Sequence, residues 1–191
     1  MTTHNDVQII AETRQWVNDI VIRHNLCPFA HKPFRNDAIR YRVSHASTAD
    51  ELMDDLIDEL LRLRDADTSK IETTLLIATN CLRDFEHYNQ FLDVVDMLIG
   101  QFDLEGTIQV ASFHPDYQFA DLDYADVRNY TNRSLYPMFH LILEESIERA
   151  RASHPNVESI PNTNMKLLEK IGLEEIRRQQ QNCRMQEKEN E

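Results

Sequence analysis

Apolar positions along the chain change period several times, and each change marks an element. Val7, Ile10, Ala11, Val17, Ile20 and Val21 recur at helical spacing and predict a first helix over residues 5 to 24. Pro28 and Pro33 stop it within "NLCPFAHKP". In "AIRYRVS", Ile39, Tyr41 and Val43 alternate with Arg40 and Arg42, the two-residue period of a half-buried strand. A helical stripe follows, made by Leu52, Met53, Leu56, Ile57, Leu60 and Leu63, and Thr48 with Glu51 matches a capping box at its start. Its acids, Asp50, Asp54, Asp55, Asp58 and Glu59, are read as a solvated face. "TTLLIAT" (73 to 79) is the short β-branched run of a strand covered on both faces. Asp84 is placed to cap a helix carrying Phe85, Tyr88, Phe91, Leu92, Val95, Leu98 and Ile99, with Gly100 near its end. "TIQVASF" (107 to 113) is a third strand.

Strands alternating with helices imply parallel pairing. The expected fold is α/β: a single domain over residues 5 to 175, with a short parallel sheet of about three strands in β-α-β-α-β order, an N-terminal helix and two C-terminal helices. Pro137 is read as the first position of one late helix, running to about residue 152 with Phe139, Ile142, Leu143, Ile147 and Ala150 inward; a strand over 138 to 143 is the alternative. The other late helix is expected over 164 to 177. Residues 176 to 191, charged and glutamine-rich, are expected to form a frayed tail.

Composition narrows the function. A net charge of −13 argues against nucleic-acid or anionic-membrane partners, whose affinity rests on Lys and Arg. No apolar run approaches the ~20 residues of a membrane span. "MTTHNDVQII" lacks the features of a signal peptide, and three widely spaced cysteines make no disulfide framework, so a cytoplasmic location is expected. With 3 glycines in 191 residues, the chain cannot build a glycine-rich phosphate loop.

Candidate chemistry gathers at the predicted carboxyl ends of the strands, where open parallel sheets bind ligands. These are Ser44-His45, Asn80-Cys81 and His114-Pro115-Asp116. The segment 114 to 136 shows no clean period and is too long for a plain connection, the pattern of a binding loop. His114 is the candidate general acid or base, with Asp116 and Tyr117 orienting it or the substrate. Before the predicted late helix, Asn132, Arg133, Ser134 and Tyr136, with His140 in its first turn, make a candidate ligand-binding group. Arg133 and free helix amides would hold an anionic small molecule. Cys27 is a candidate nucleophile, its alternative being a buried thiol beside Phe29. Two further readings stand beside this pocket: a metal site assembled from Cys27, His114 and His140, and a non-catalytic interaction module exposing Tyr117, Phe119, Tyr124 and Tyr136.

Three segments, "NLCPFA" (25 to 30), "ASFHPDYQFA" (111 to 120) and "NYTNRSLYPMFHL" (129 to 141), closely resemble a bacterial family catalogued as domain of unknown function 1415. "ETTLLIATN" and "FEHYNQFLDVVDMLI" extend the resemblance from the first helix to about residue 173. Leu135 departs from it, standing where the family has proline. The resemblance implies no activity, substrate or cofactor. It implies a set of motif positions: Cys27, Pro28, Phe29, His114, Pro115, Tyr117, Phe119, Asn132, Arg133, Tyr136, Pro137 and His140. A signature concentrated in polar loops suggests a family organised around a site.

Overall fold

The computed structural model describes residues 4 to 151 and 157 to 184. It is a mixed α/β chain built on one four-stranded sheet, with strands β1 (Ile39–Ser44), β2 (Thr73–Ala78), β3 (Ile108–Phe113) and β4 (Met138–Leu143) in the order β1-β2-β4-β3. β1 and β2 are parallel, while β4 is antiparallel to both β2 and β3. The first three strands therefore point the same way and share a carboxyl edge, as expected. They do not form a three-stranded parallel sheet, because β4 occupies the slot between β2 and β3.

β4 replaces the helix expected from Pro137. A run of six mostly apolar residues, "MFHLIL", fits a helix stripe as well as a strand covered on both faces, so periodicity alone does not separate them. The sheet decides it. Phe139, Leu141 and Leu143 point to one face while Met138, His140 and Ile142 take the other, and each pairs in register with β2, β3 or both. The helix starts only at Glu144, as α5 (Glu144–Arg151).

Helices cover both faces. α3 (Ala49–Arg64) and α4 (Phe85–Gln101) lie on the first, where Leu52, Leu56, Leu60, Leu63, Tyr88 and Leu98 pack with Leu76, Phe139 and Leu141. Their starts are capped as the sequence indicates: Thr48 accepts from the Glu51 amide at 3.3 Å and Asp84 from the His87 amide at 3.0 Å. On the second face lie α1 (His4–Trp16), its π-helical continuation (Val17–Ile22), the short α2 (His31–Arg35), α6 (Ile160–Ile171) and α7 (Leu173–Asn182). These pack over Leu75, Ile77 and Met138. β2, sandwiched between the layers, is buried at all six positions.

The frayed tail expected from residue 176 is also corrected as far as residue 184. Ile176 at 0 % exposure and Cys183 at 1 % close the second core, while residues 185 to 191 lie outside the described residues. Among the described residues no helix is long and apolar enough to cross a membrane.

Candidate functional site

The segment 114 to 136 is held by backbone hydrogen bonds of its own and by polar side chains that bond its backbone. His114 is fully buried. Its Nε2 lies 3.1 Å from the carbonyl of Leu82, and its Nδ1 accepts the Asp116 amide at 3.0 Å. Both ring nitrogens are thus engaged, with the ring packed against Phe85 and Tyr88 of α4. Burial pushes its pKa down, against the pull of the Leu82 carbonyl. Leu82 has a φ of 52°, a conformation that costs a non-glycine residue roughly 1 kcal/mol, and the imidazole holds it there.

Arg133 is 3 % exposed. Its Nε donates to the Tyr117 carbonyl at 3.0 Å and an amino group to the Tyr124 carbonyl at 2.7 Å. Its guanidinium carbon lies 4.5 Å from the Tyr124 ring centre and 5.0 Å from that of Tyr130. Asn129 and Asn132 act similarly, bonding the backbones of Phe119, Asp123, Tyr124 and Ser112. Ser134 donates to the Tyr136 carbonyl, and the Tyr136 hydroxyl reaches Glu12 of α1. Asp116 accepts from the Tyr124 hydroxyl at 2.6 Å. Apart from a 3-10 helix over Val127–Thr131 the segment has no regular structure, and polar side chains pair many of the amides and carbonyls that its backbone bonds leave over. Since β4 follows, no helix N-terminus lies beside Arg133. Of the four aromatics that an interaction surface would expose, Tyr124 is 52 % exposed but bonded and stacked, while Tyr117, Phe119 and Tyr136 are half-buried.

A cavity of about 610 Å³ lies elsewhere, on the second face of the sheet towards the amino ends of β1 to β3. Its floor is Ile39, Leu75, Phe113, His140 and Ile142. One wall is Trp16, Val17 and Val21, the last two from the π-helix; another is the turn from Cys27 to Pro33. π-helical turns are rare and recur at functional sites. The rim is charged. Lys32 of α2 and Arg149 and Arg151 of α5 line it, and among the described residues one carboxylate does, Glu72, which is 7 % exposed. Glu72 lies 3.5 Å from Lys32 Nζ and 3.8 Å from Arg149, which also bonds the exposed Glu145 at 2.8 Å.

Of the nine candidate residues, Cys27 and His140 line this cavity and the other seven do not. His114 packs against α4 on the first face and Arg133 lies within the long loop. The sheet stands between His114 and the other two proposed metal ligands. Among the described residues no group of three or more His, Cys, Asp or Glu is placed to hold a metal ion. Burial raises the Cys27 thiol above its ordinary pKa, although the Phe29 and Ala30 amides act against it. Iodoacetamide should therefore alkylate Cys27 more slowly at pH 7 than a free cysteine, with the rate still climbing above pH 9; rapid labelling at pH 7, read by peptide mass, would contradict this.

The family model described as "Protein of unknown function (DUF1415)" matches residues 8 to 178 of the 191. The chain belongs to the DUF1415 family. No curated protein and no solved structure matches it. In this DUF1415 chain the motif positions split by location. Cys27, Pro28, Phe29 and His140 line the cavity, whereas His114, Asn132 and Arg133 tie down the loop beyond β3. Sequence reasoning passed over Trp16, Lys32, Glu72, Thr73 and Arg149. One signal was present: His140 is the single polar residue in the otherwise apolar run of β4.

Proposed function

We propose that this chain binds an amphipathic anionic small molecule in the cavity between the sheet, the π-helix and α5. One observation carries the reading: among the described residues three cations and one carboxylate line an apolar hollow, in a chain whose net charge is −13. Such local reversal attracts an anion that the rest of the surface repels. The floor of Leu75, Phe113 and Ile142 takes the apolar body, and a volume of about 610 Å³ falls in the usual range for ligand sites. Glu72 holds Lys32 and Arg149 over the opening and leaves a positive excess for the ligand's charged group. Within this reading Cys27 and His140 are polar points on the wall and floor, and His114, Asp116, Tyr117 and Arg133 act by keeping the neighbouring loop in shape.

The chain's one tryptophan, Trp16, lies in the cavity wall, so its emission reports occupancy. Titration with octanoate should give a saturable change in Trp16 fluorescence, at least 10-fold tighter than 1-octanol or octylamine. Combining Lys32→Glu with Arg149→Glu should weaken octanoate binding at least 10-fold. Octylamine binding as tightly as octanoate, or a double variant that binds octanoate unchanged, would remove this reading.

A further inference from the structure

We propose that His140 Nδ1 is a fixed acceptor for a hydroxyl or N–H group on the apolar part of the ligand, so that the site takes amphipathic acids bearing an internal hydrogen-bond donor. The inference rests on the cavity reading above and names the class of ligand more closely.

The argument is one of proton counting. A threonine hydroxyl has one proton to give. Thr73 Oγ1 lies 2.6 Å from the Leu141 carbonyl, an acceptor only, and donates to it. The same oxygen lies 2.7 Å from His140 Nε2. With its proton already committed, Thr73 accepts there, and the imidazole must supply the hydrogen. The ring is therefore the Nε2–H tautomer, and Nδ1 carries a bare lone pair. Among the described residues nothing donates to Nδ1. Burial lowers the pKa of the ring to about 4, so near neutrality it stays uncharged and does not fill the vacancy with a proton.

The surroundings of that lone pair are apolar. His140 shares the cavity floor with Leu75, Phe113 and Ile142, and its ring centre lies 6.3 Å from that of Phe113. A purely hydrocarbon ligand body would bury the acceptor unpaired, whereas a ligand hydroxyl or N–H would pair it. Sites with a buried polar group discriminate most strongly against the analogue that lacks its partner. The rim cations answer the ligand's acid group, and the histidine reads its other end.

Three rigid acids separate the possibilities by calorimetry: 2-naphthoate, 6-hydroxy-2-naphthoate and 6-methoxy-2-naphthoate. The hydroxy acid should bind about 10-fold tighter than either other compound, the methoxy acid having an acceptor in the same place but no donor. In His140→Phe the three affinities should converge. Equal binding of all three by the unaltered protein would overturn the donor requirement while leaving the anion site standing; failure of all three to bind would remove the anion site itself. Should His140→Phe not fold, long-range ¹H–¹⁵N spectra of the unaltered protein decide. They should show an Nε2–H imidazole at pH 7, with the Nδ1 resonance moving when the hydroxy acid binds. An Nδ1–H tautomer, or an Nδ1 shift insensitive to the hydroxy acid, would overturn the proposal.

Discussion

Arg133→Met should lower the unfolding free energy by about 2–4 kcal/mol, while ligand binding by the folded protein stays as it was. The substitution keeps much of the side chain's bulk and removes both donors. The Tyr117 carbonyl, 3.0 Å from the guanidinium, then loses its side-chain partner, while the Tyr124 carbonyl, 2.7 Å away, keeps only the longer 3.3 Å bond from Asn129. The orphaned Tyr117 carbonyl costs about 1–3 kcal/mol, and the lost contacts with the Tyr124 and Tyr130 rings add about 1 kcal/mol. Lysine should not rescue the loss, because a point charge on a flexible stem cannot reproduce a planar fork that bonds two carbonyls between aromatic faces. Urea unfolding gives the answer. A loss below about 1 kcal/mol would mean that Arg133 is not the clamp of this loop.

Acid should destabilise the protein more steeply than its carboxylates alone require. His140 has its pKa lowered to about 4 by burial, and burial lowers His114 as well. An unfolded histidine titrates near 6.5, so between pH 6.5 and 4 the unfolded chain binds a proton that the folded chain refuses. The contribution of a neutral His140 is complete above pH 6.5 and declines as the pH falls towards 4, a total of about 3 kcal/mol. The check is urea midpoints between pH 7.5 and 4.5 for the unaltered protein and for His140→Leu. The variant's profile should be flatter; two parallel profiles would show that His140 does not carry the dependence.

Helix boundaries on the first face were legible in the sequence because their signals are local. Thr48 and Asp84 cap the helices predicted from them, and the stripe from Leu52 to Leu63 is buried as its spacing implies. β4 was legible only as the alternative to a helix, for a non-local reason: its six residues become a strand because β2 and β3 offer hydrogen-bonding edges on both sides. That error carried the candidate site with it. A helix starting at Pro137 would have set free amides beside Arg133; a strand there leaves the arginine among carbonyls. The polar motif stands out in the sequence but does not say whether its side chains face a ligand or their own backbone, since both demand the same donors and acceptors. The cavity was hidden because its floor consists of alternate residues from four strands far apart in sequence. Only His140, out of keeping with its apolar neighbours Phe139 and Leu141, hinted at it.

The strand order also has a consequence for how the chain reaches its native state. β4 is the last strand in sequence and sits inside the sheet, so until residue 143 is available β2 and β3 have no partner between them. Contacts this distant along the chain are slow to form, and bare strand edges invite association between molecules while they wait. A fragment ending before Met138 should therefore accumulate as aggregate instead of folding into a smaller version of the sheet.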